Sequence, residues 1–312
     1  MMYKNPNFHP QLHDIHEYYT WGVLQRIIMI RYPGVVLLLA LLMSCTGLHD
    51  RHDTARAIAD SGGLVLQVLD AGPFRLTLFH RGLEHPGSAV AIYIEGDGHA
   101  WKQKHILSDD PTPIDPVALK LAAKDPAPAV LYIARPCQFL RPDDLKKCNP
   151  KYWSTHRYAE EAIRSVNAAV AWSVRKTGAD KVYLYGYSGG GTVAALVAAR
   201  RPDAMRLVTV AANLDHVLWT RLQGISPLTG SLNPADEIDQ LQKIPQVHFA
   251  GSKDTVVPAS ILESYQARFG DNTNITLRII PGYDHQCCWA DSWPDLLLKA
   301  DAGSKPRQVP DR

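Results

Sequence analysis

The sequence of 312 residues lacks the features that mark several protein classes. It has no long run of Lys and Arg, and its formal net charge is +2, so no nucleic acid partner is predicted. No apolar run is long enough to span a bilayer as a helix. No Cys-x-x-Cys pair or His and Cys spacing suits zinc, and no internal repeat occurs. The sequence therefore predicts neither a metal site nor a cofactor, and its composition is that of a globular protein.

The amino-terminal region has the pattern of an export signal. A continuous apolar run covers Val35–Met43, and Arg26 and Arg31 supply positive charge before it. This length matches the apolar part of a secretory signal and is too short for a membrane span. Residues 1–44 are therefore predicted to be a signal peptide, and a true start at Met29 would make that signal compact.

The apolar run ends in a short motif around a cysteine. Leu42-Met43-Ser44-Cys45 resembles the lipobox of bacterial lipoproteins, in which a small residue precedes a cysteine that is diacylated. The resemblance implies a lipid on Cys45 that anchors a domain to a membrane surface without spanning it. It also implies location in the cell envelope, and Thr46 would favour the periplasmic side of the outer membrane in a Gram-negative cell. A plain secretory signal, or a buried apolar strand with a chance cysteine, is the alternative.

Short apolar runs rich in β-branched residues recur along the rest of the chain, and helical patterns separate them from the third run onward. The runs predict eight strands, at Leu64–Leu69, Phe74–Phe79, Ala89–Glu95, Val130–Ala134, Val182–Tyr187, Arg206–Ala211, Gln246–Ala250 and Ile275–Ile280. The first two are close enough to be antiparallel partners. The alternation that follows is typical of a mainly parallel sheet with helices on both faces.

These patterns predict an α/β domain over residues 62–298, after a linker at 45–61 and before a disordered tail at 299–312. The clearest helices are expected at His156–Lys176 and Gly190–Arg200, where apolar residues keep helical spacing. Between Asn213 and Lys243 the chain makes only one short excursion from the strand and helix pattern. No large cap domain is therefore expected.

The cysteines agree with an exported protein. Apart from Cys45 there are four, and an even number in an exported chain suggests disulfides. Cys137 and Cys148 flank a short loop and are predicted to pair. Cys287 and Cys288 are adjacent, so a vicinal disulfide, cross-pairing or two free thiols all remain open.

One motif supplies a candidate nucleophile. Gly186-Tyr187-Ser188-Gly189-Gly190 fits the pattern G-x-S-x-G, with a predicted strand before it and a predicted helix after it. The turn between them would hold the serine hydroxyl out at the carboxyl edge of the sheet, and glycines flank it because larger side chains would collide with the strand or the helix. Ser188 is therefore the candidate nucleophile, and it needs a base to take its proton.

Two later loops supply the acid and the base. The pattern G-x-x-D-x-x-V-P puts Asp254 after one predicted strand, and strand–Gly-x-Asp-His puts His285 after the last. Together the three motifs, in this order, resemble those of α/β-hydrolases over about residues 62–298. The resemblance implies the α/β-hydrolase fold, with Asp254 as the orienting acid and His285 as the base. Asp284 is a competing acid, but a sequence neighbour of the histidine rarely faces it well.

The resemblance also implies two backbone donors for an oxyanion. One is the N–H of Gly189, directly after the nucleophile. The other belongs to the loop Glu95-Gly96-Asp97-Gly98-His99, which takes the position of the family's His-Gly motif with Glu95 in place of the usual His. The N–H of Asp97 is the first choice for this donor, and that of Gly96 is the second.

The combined motifs predict a carboxylesterase-like or lipase-like serine hydrolase that acts on a small-molecule ester through an acyl-enzyme. Aromatic residues in or near loops at the predicted catalytic edge would suit an apolar acyl or aromatic group; they are Trp101, Trp153, Tyr187, Trp219 and Trp289. The alternative within enzymes is a serine peptidase of the prolyl-peptidase type. The alternative from another class is a non-catalytic envelope lipoprotein on a hydrolase fold.

Overall fold

Ten strands lie within residues 46–103 and 105–301, which are the residues that the computed structural model describes. They are β1 (Val65–Ala71), β2 (Phe74–Arg81), β3 (Ala89–Ile94), β4 (Trp101–Gln103), β5 (Ile106–Leu107), β6 (Val130–Ile133), β7 (Lys181–Tyr187), β8 (Ala204–Val210), β9 (Gln246–Gly251) and β10 (Ile275–Ile280). Eight of them form one sheet in the order β1-β2-β6-β3-β7-β8-β9-β10, while β4 and β5 form a separate hairpin. β2 is antiparallel to both of its neighbours, and all the other neighbours in the large sheet are parallel. The predicted eight-stranded, mostly parallel sheet is confirmed.

Helices connect the parallel strands. They are α1 (Thr46–Ser61), α2 (Val117–Ala123), α3 (Pro142–Leu145), α4 (Glu160–Thr177), α5 (Gly189–Ala198), α6 (His216–Gln223), α7 (Ile238–Leu241), α8 (Ala259–Ala267) and α9 (Trp293–Asp301), with 3-10 turns at Pro150–Trp153 and Pro234–Asp236. The helix predicted from His156 begins four residues later, because Ala159 has an extended conformation with ψ 152°. The helix predicted over Gly190–Arg200 is α5.

The sheet separates two hydrophobic layers. Successive residues of a strand point to opposite faces, and in β3 Ile92 and Ile94 face one layer while Ala91 and Tyr93 face the other. The first layer includes the buried faces of α4 and α5, and the second includes those of α1, α2 and α9. Both faces of the sheet are therefore covered by helices, which explains why β3 is apolar along its whole length.

Within the described residues, no large cap covers the sheet edge. Between β8 and β9 the chain forms only α6, one 3-10 turn and α7, and all of residues 211–245 are described. This confirms the expectation drawn from the short excursion in the sequence. The carboxyl ends of the central strands are therefore open to a cavity.

The segment predicted as a linker, 45–61, is instead occupied by helix α1 from Thr46 onward. The chain divides into two units, 1–50 and 51–312, and within the second unit Ala55 and Ala59 of α1 are buried in the second hydrophobic layer. Their spacing of four residues puts both methyl groups on one side of the helix. The prediction of a linker was wrong because two small alanines give only a weak amphipathic pattern.

Some sequence predictions fall on residues that the structure does not describe. These are the signal peptide at 1–44, the start at Met29 and the lipid attachment at Cys45, together with residues 302–312 of the predicted tail. The first three tail residues belong to α9 instead. Among the described residues, no helix has both the length and the apolar character needed to cross a membrane.

The four described cysteines form two disulfides. Cys137 and Cys148 are joined as predicted, with 5.9 Å between their Cα atoms. Cys287 and Cys288 are joined to each other, so the vicinal disulfide is the one of the three alternatives that the structure contains. Both residues of this second bridge are exposed on the loop after β10.

Candidate active site

The backbone at Ser188 has the conformation expected of a sharp turn between a strand and a helix. Its φ of 51° and ψ of −126° are unfavourable for a residue with a side chain. The turn is held by the N–H of Ser188, which donates to the carbonyl of Val210 at 2.9 Å. A Cβ atom on Gly190 would lie 2.2 Å from the carbonyl oxygen of Ile94, so only glycine lets α5 approach β3 this closely. The sequence pattern is thus explained by contacts between backbones.

Ser188, His285 and Asp254 lie together at the carboxyl edge of the sheet. The Nε2 atom of His285 is 3.0 Å from Oγ of Ser188, and its Nδ1 atom is 2.8 Å from Oδ2 of Asp254. The Asp254 side chain is fully buried, and its other oxygen accepts the N–H groups of Val256 and Val257 at 2.9 and 2.8 Å. The carboxylate is therefore fixed in place, and it can hold the imidazole in one orientation.

The loop around His285 is fixed by further hydrogen bonds. Its carbonyl oxygen accepts the phenol of Tyr187 at 2.9 Å and the indole N–H of Trp289 at 3.1 Å. Burial raises the pKa of Tyr187, so its phenol stays protonated and remains a donor. Asp284 accepts the N–H groups of Gln286 and Cys287, whereas the imidazole is bonded to Asp254. The competing acid thus shapes the loop.

Of the three backbone donors proposed from the sequence, Gly96 is already engaged. Its N–H donates to Oε1 of Glu95 at 2.8 Å, which removes it from the groups available to an oxyanion. Within the described residues, the N–H groups of Asp97 and Gly189 have no hydrogen-bond acceptor. These two remain the candidates.

The Glu95 carboxyl lies buried beside the loop that follows β3. Besides Gly96 it accepts the N–H groups of Ala118 and Leu119, at the start of α2, and the phenol of Tyr132. Burial raises the pKa of Glu95 to about 7, although these hydrogen bonds act to lower it. Glu95 thus ties the loop to α2 and β6.

The Asp97 side chain forms an ion cluster that sequence reasoning did not find. Its carboxylate accepts hydrogen bonds from Arg135 at 3.0 Å, Arg157 at 2.7 Å and Tyr158 at 3.0 Å. Burial alone would raise the pKa of Asp97, but the two arginines outweigh it and hold the pKa below its usual value. No local motif predicts this cluster, because its members come from three separate loops.

A cavity of about 1120 Å³ extends from Ser188 and His285. Its wall is largely apolar and includes Trp101, Leu107, Ile114, Trp219, Ile225 and Leu228. Of the five predicted aromatic residues, Trp101, Tyr187 and Trp219 line this cavity. Trp153 and Trp289 are buried and pack beneath loops instead. The cavity can hold a substrate with a sizeable apolar part.

His248, which the sequence places on a strand, has a structural environment. His248 in β9 is buried, and its Nδ1 atom lies 2.8 Å from the hydroxyl of Thr209. Burial lowers the pKa of His248 to about 3, so it stays neutral. In the described part of the chain, no group of three or more His, Cys, Asp and Glu residues is arranged to hold a metal ion.

Comparison with known proteins agrees with this architecture. The sequence model of the α/β hydrolase fold matches residues 146–229, which include Ser188. Among the curated proteins compared, none matches the chain.

Solved structures with similar folds include a serine hydrolase without a lid from Xanthomonas campestris, with a TM-score of 0.51 and 15% identity over 80% of this chain and 96% of that one. An esterase from Pyrococcus furiosus has a TM-score of 0.51 and 14% identity, covering 76% of this chain and 90% of the esterase. An acylaminoacyl peptidase from Pyrococcus horikoshii has a TM-score of 0.55 and 9% identity, covering 80% of this chain and 43% of the peptidase.

The chain has the α/β-hydrolase fold. The family model matches only residues 146–229, and these solved structures share the fold at low sequence identity.

Proposed function

We propose that this protein is a serine hydrolase that cleaves carboxylic esters through a covalent acyl-enzyme. The observation that carries the proposal is the continuous pair of hydrogen bonds from Asp254 through His285 to Ser188, at 2.8 and 3.0 Å. Nucleophile, base and orienting acid at such distances are the arrangement that activates a serine hydroxyl.

In the acylation step, Oγ of Ser188 attacks the ester carbonyl carbon while Nε2 of His285 takes the hydroxyl proton. The carbonyl oxygen becomes an oxyanion that the N–H groups of Gly189 and Asp97 stabilise. The C–O bond to the alcohol then breaks, and His285 returns the proton to the leaving oxygen. The Asp254 carboxylate stabilises the imidazolium that forms between these two transfers.

Deacylation follows the same steps with water as the nucleophile. His285 takes a proton from the water, whose oxygen attacks the acyl carbon, and the same two N–H groups stabilise the second oxyanion. The bond to Ser188 then breaks, the serine oxygen recovers its proton from His285, and the carboxylic acid leaves. The residues of this chain supply every group that these steps use.

Fluorophosphonate labelling tests the proposed nucleophile. The wild-type protein should be labelled, while Ser188→Ala should not be labelled and should keep its thermal unfolding temperature. Ser226→Ala is the matched control, because Ser226 lines the same cavity and should not affect labelling. Continued labelling of Ser188→Ala would contradict the assignment, and failure of the wild type to react would favour a non-catalytic protein.

A peptidase of the prolyl-peptidase type is the second candidate, and the similarity to the acylaminoacyl peptidase fold supports it. The two candidates share the triad chemistry and differ in the leaving group. A panel of p-nitrophenyl esters set against aminoacyl p-nitroanilides separates them. We expect hydrolysis of the esters, and turnover of the anilides alone would favour the peptidase.

We further propose that Cys45 carries a lipid that holds the enzyme in the cell envelope. The support is the motif Leu42-Met43-Ser44-Cys45 after an apolar run. Growth with radiolabelled palmitate should label the wild type and leave Cys45→Ala unlabelled. Labelling that persists in Cys45→Ala would contradict the proposal.

A further inference from the structure

A carboxylate lies directly against one of the proposed oxyanion donors. A Cβ atom on Gly189 would be only 2.1 Å from Oδ1 of Asp97, so the carboxylate contacts the backbone of Gly189 with no side chain between them. Asp97 itself supplies the other proposed donor through its backbone N–H. A negative charge at this place opposes the charge that develops on the substrate oxygen.

An unpaired carboxylate here would be costly for catalysis. At roughly 5 Å, in an effective dielectric of about 20, one unit charge would slow formation of an oxyanion on the order of 100-fold. A site built to bind an anion therefore needs this carboxylate to be neutralised.

Two arginines lie in position to do this. Nη1 of Arg135 is 3.0 Å from Oδ1 of Asp97, and Nη1 of Arg157 is 2.7 Å from Oδ2. Their side chains are only 5% and 7% exposed, so water screens the ion pairs little. Two positive charges face one negative charge, which leaves the cluster with a net charge of +1.

The cluster also fixes the loop that carries the proposed donor. Arg135 follows β6 and Arg157 precedes α4, so the ion pairs tie the loop after β3 to two other segments. Arg157 is held in turn by the carbonyl of Ser154 at 2.8 Å, and the guanidinium of Arg135 lies 5.2 Å from the ring centre of Tyr158. Glu95, the other buried carboxyl of the loop, is held by donors of its own.

We propose that Arg135 and Arg157 are positioning residues that neutralise Asp97 and so permit an oxyanion to form beside Gly189. This inference rests on the proposed function, because it assumes that an oxyanion forms at Ser188. Neither arginine needs to touch the substrate. Each acts through the Asp97 carboxylate.

A double-mutant cycle on the full chain tests the inference with p-nitrophenyl butyrate as substrate. Arg157→Gln should lower kcat about 100-fold with little change in KM, because it removes one of the two positive charges and takes the cluster from a net charge of +1 to zero. Asp97→Asn should lower kcat no more than about tenfold. The double variant Asp97→Asn/Arg157→Gln should recover at least tenfold of the kcat lost in Arg157→Gln, since the opposing charge is gone. A double variant no more active than Arg157→Gln would overturn the inference, because a merely structural ion pair is not restored by removing its second partner.

A second variant and a control complete the experiment. Arg157→Lys keeps the charge, so its kcat should stay within about tenfold of wild type. If Arg157→Lys folds but loses about 100-fold in kcat, as expected for Arg157→Gln, the inference is also overturned. Arg201→Gln is the control for loss of a largely buried ion pair, since Arg201 pairs with Asp203 outside the cavity, and it should keep the wild-type kcat.

Fluorophosphonate labelling of the wild type separates failure of the proposed function from failure of this inference. A protein that is not labelled refutes the proposed function, and a labelled protein without rescue refutes only this inference.

Discussion

The phenol of Tyr187 donates a hydrogen bond to the backbone carbonyl of His285 at 2.9 Å. Tyr187 directly precedes Ser188 in the chain, so the residue before the proposed nucleophile also holds the loop of the proposed base. The rings of Tyr187 and His285 are 5.5 Å apart and tilted by 41°. The two groups that exchange a proton in the proposed mechanism are thus held together by a residue that takes no part in that transfer.

This contact predicts the effect of removing one hydroxyl. Tyr187→Phe should lower kcat about three- to tenfold, because loss of a neutral hydrogen bond costs about 1 kcal/mol and leaves the His285 loop less well fixed. Steady-state hydrolysis of p-nitrophenyl butyrate measures the change. Tyr152→Phe is the control, since it loses a phenol hydrogen bond of similar length, 3.0 Å, to the Glu161 carboxylate. An equal fall in both variants would show that Tyr187 has no special role.

The two neighbouring acids should differ in their importance. Asp254→Asn should lower kcat about 10⁴-fold, because an amide cannot stabilise the imidazolium or select the correct tautomer of His285. Asp284→Asn should lower kcat less than tenfold, since the Asp284 carboxylate accepts the backbone N–H groups of Gln286 and Cys287 while Asp254 is the acid bonded to the imidazole. Measured rates in the reverse order would refute the assignment of the acid.

The buried carboxyl of Glu95 predicts a dependence of stability on pH. Its pKa is about 7 in the folded protein against an ordinary value of 4.5, so the folded state binds a proton in this range that the unfolded chain has released. The stabilisation from that proton is complete below about pH 4.5 and is lost as the pH rises through about 7. The free energy of unfolding of wild type relative to Glu95→Gln should therefore fall by on the order of 2–3 kcal/mol between pH 4.5 and pH 7.5.

Chemical denaturation at several pH values measures this difference. Glu263→Gln, on an exposed position of α8, is the matched control and should follow the wild type at every pH. A difference between wild type and Glu95→Gln that stays constant with pH would contradict the prediction.

The two disulfides should contribute unequally to stability. Cys137 and Cys148 are separated by 11 positions, so replacing both by serine should lower the free energy of unfolding by roughly 2–3 kcal/mol through the freedom restored to the unfolded chain. The bridge between Cys287 and Cys288 encloses no intervening residue. Replacing both of these cysteines should therefore lower the free energy of unfolding by less. Urea denaturation of both double-serine variants checks the order, and equal losses would contradict it.

The sequence was informative wherever a pattern is local. Most strands of the large sheet are rich in apolar residues, and the central strands β3 and β6 are apolar throughout because helices cover both faces of the sheet there. Ser188, Asp254 and His285 each follow such a strand within a few residues, so their loops could be recognised and their meeting at one edge could be inferred. The antiparallel pairing of the first two strands followed from their short separation.

The misses share a physical cause, which is that they depend on contacts between distant segments. Arg157 looks like a residue of a helix face, but a turn directs it to Asp97, sixty positions earlier. The sequence suggests that the N–H of Gly96 could bind an oxyanion, but in the structure it donates to the carboxylate of Glu95. Helix α1 was not predicted because its buried residues are alanines, which contribute little to a hydrophobic pattern.

The contact between Asp97 and Gly189 makes these two positions interdependent. As long as an acid occupies position 97, no methyl group fits at position 189 unless the acid moves. A related protein with a small uncharged residue at position 97 could carry a residue larger than glycine at position 189. Such a protein would not need the guanidinium groups at positions 135 and 157. Substitutions at all four sites should therefore occur as a set.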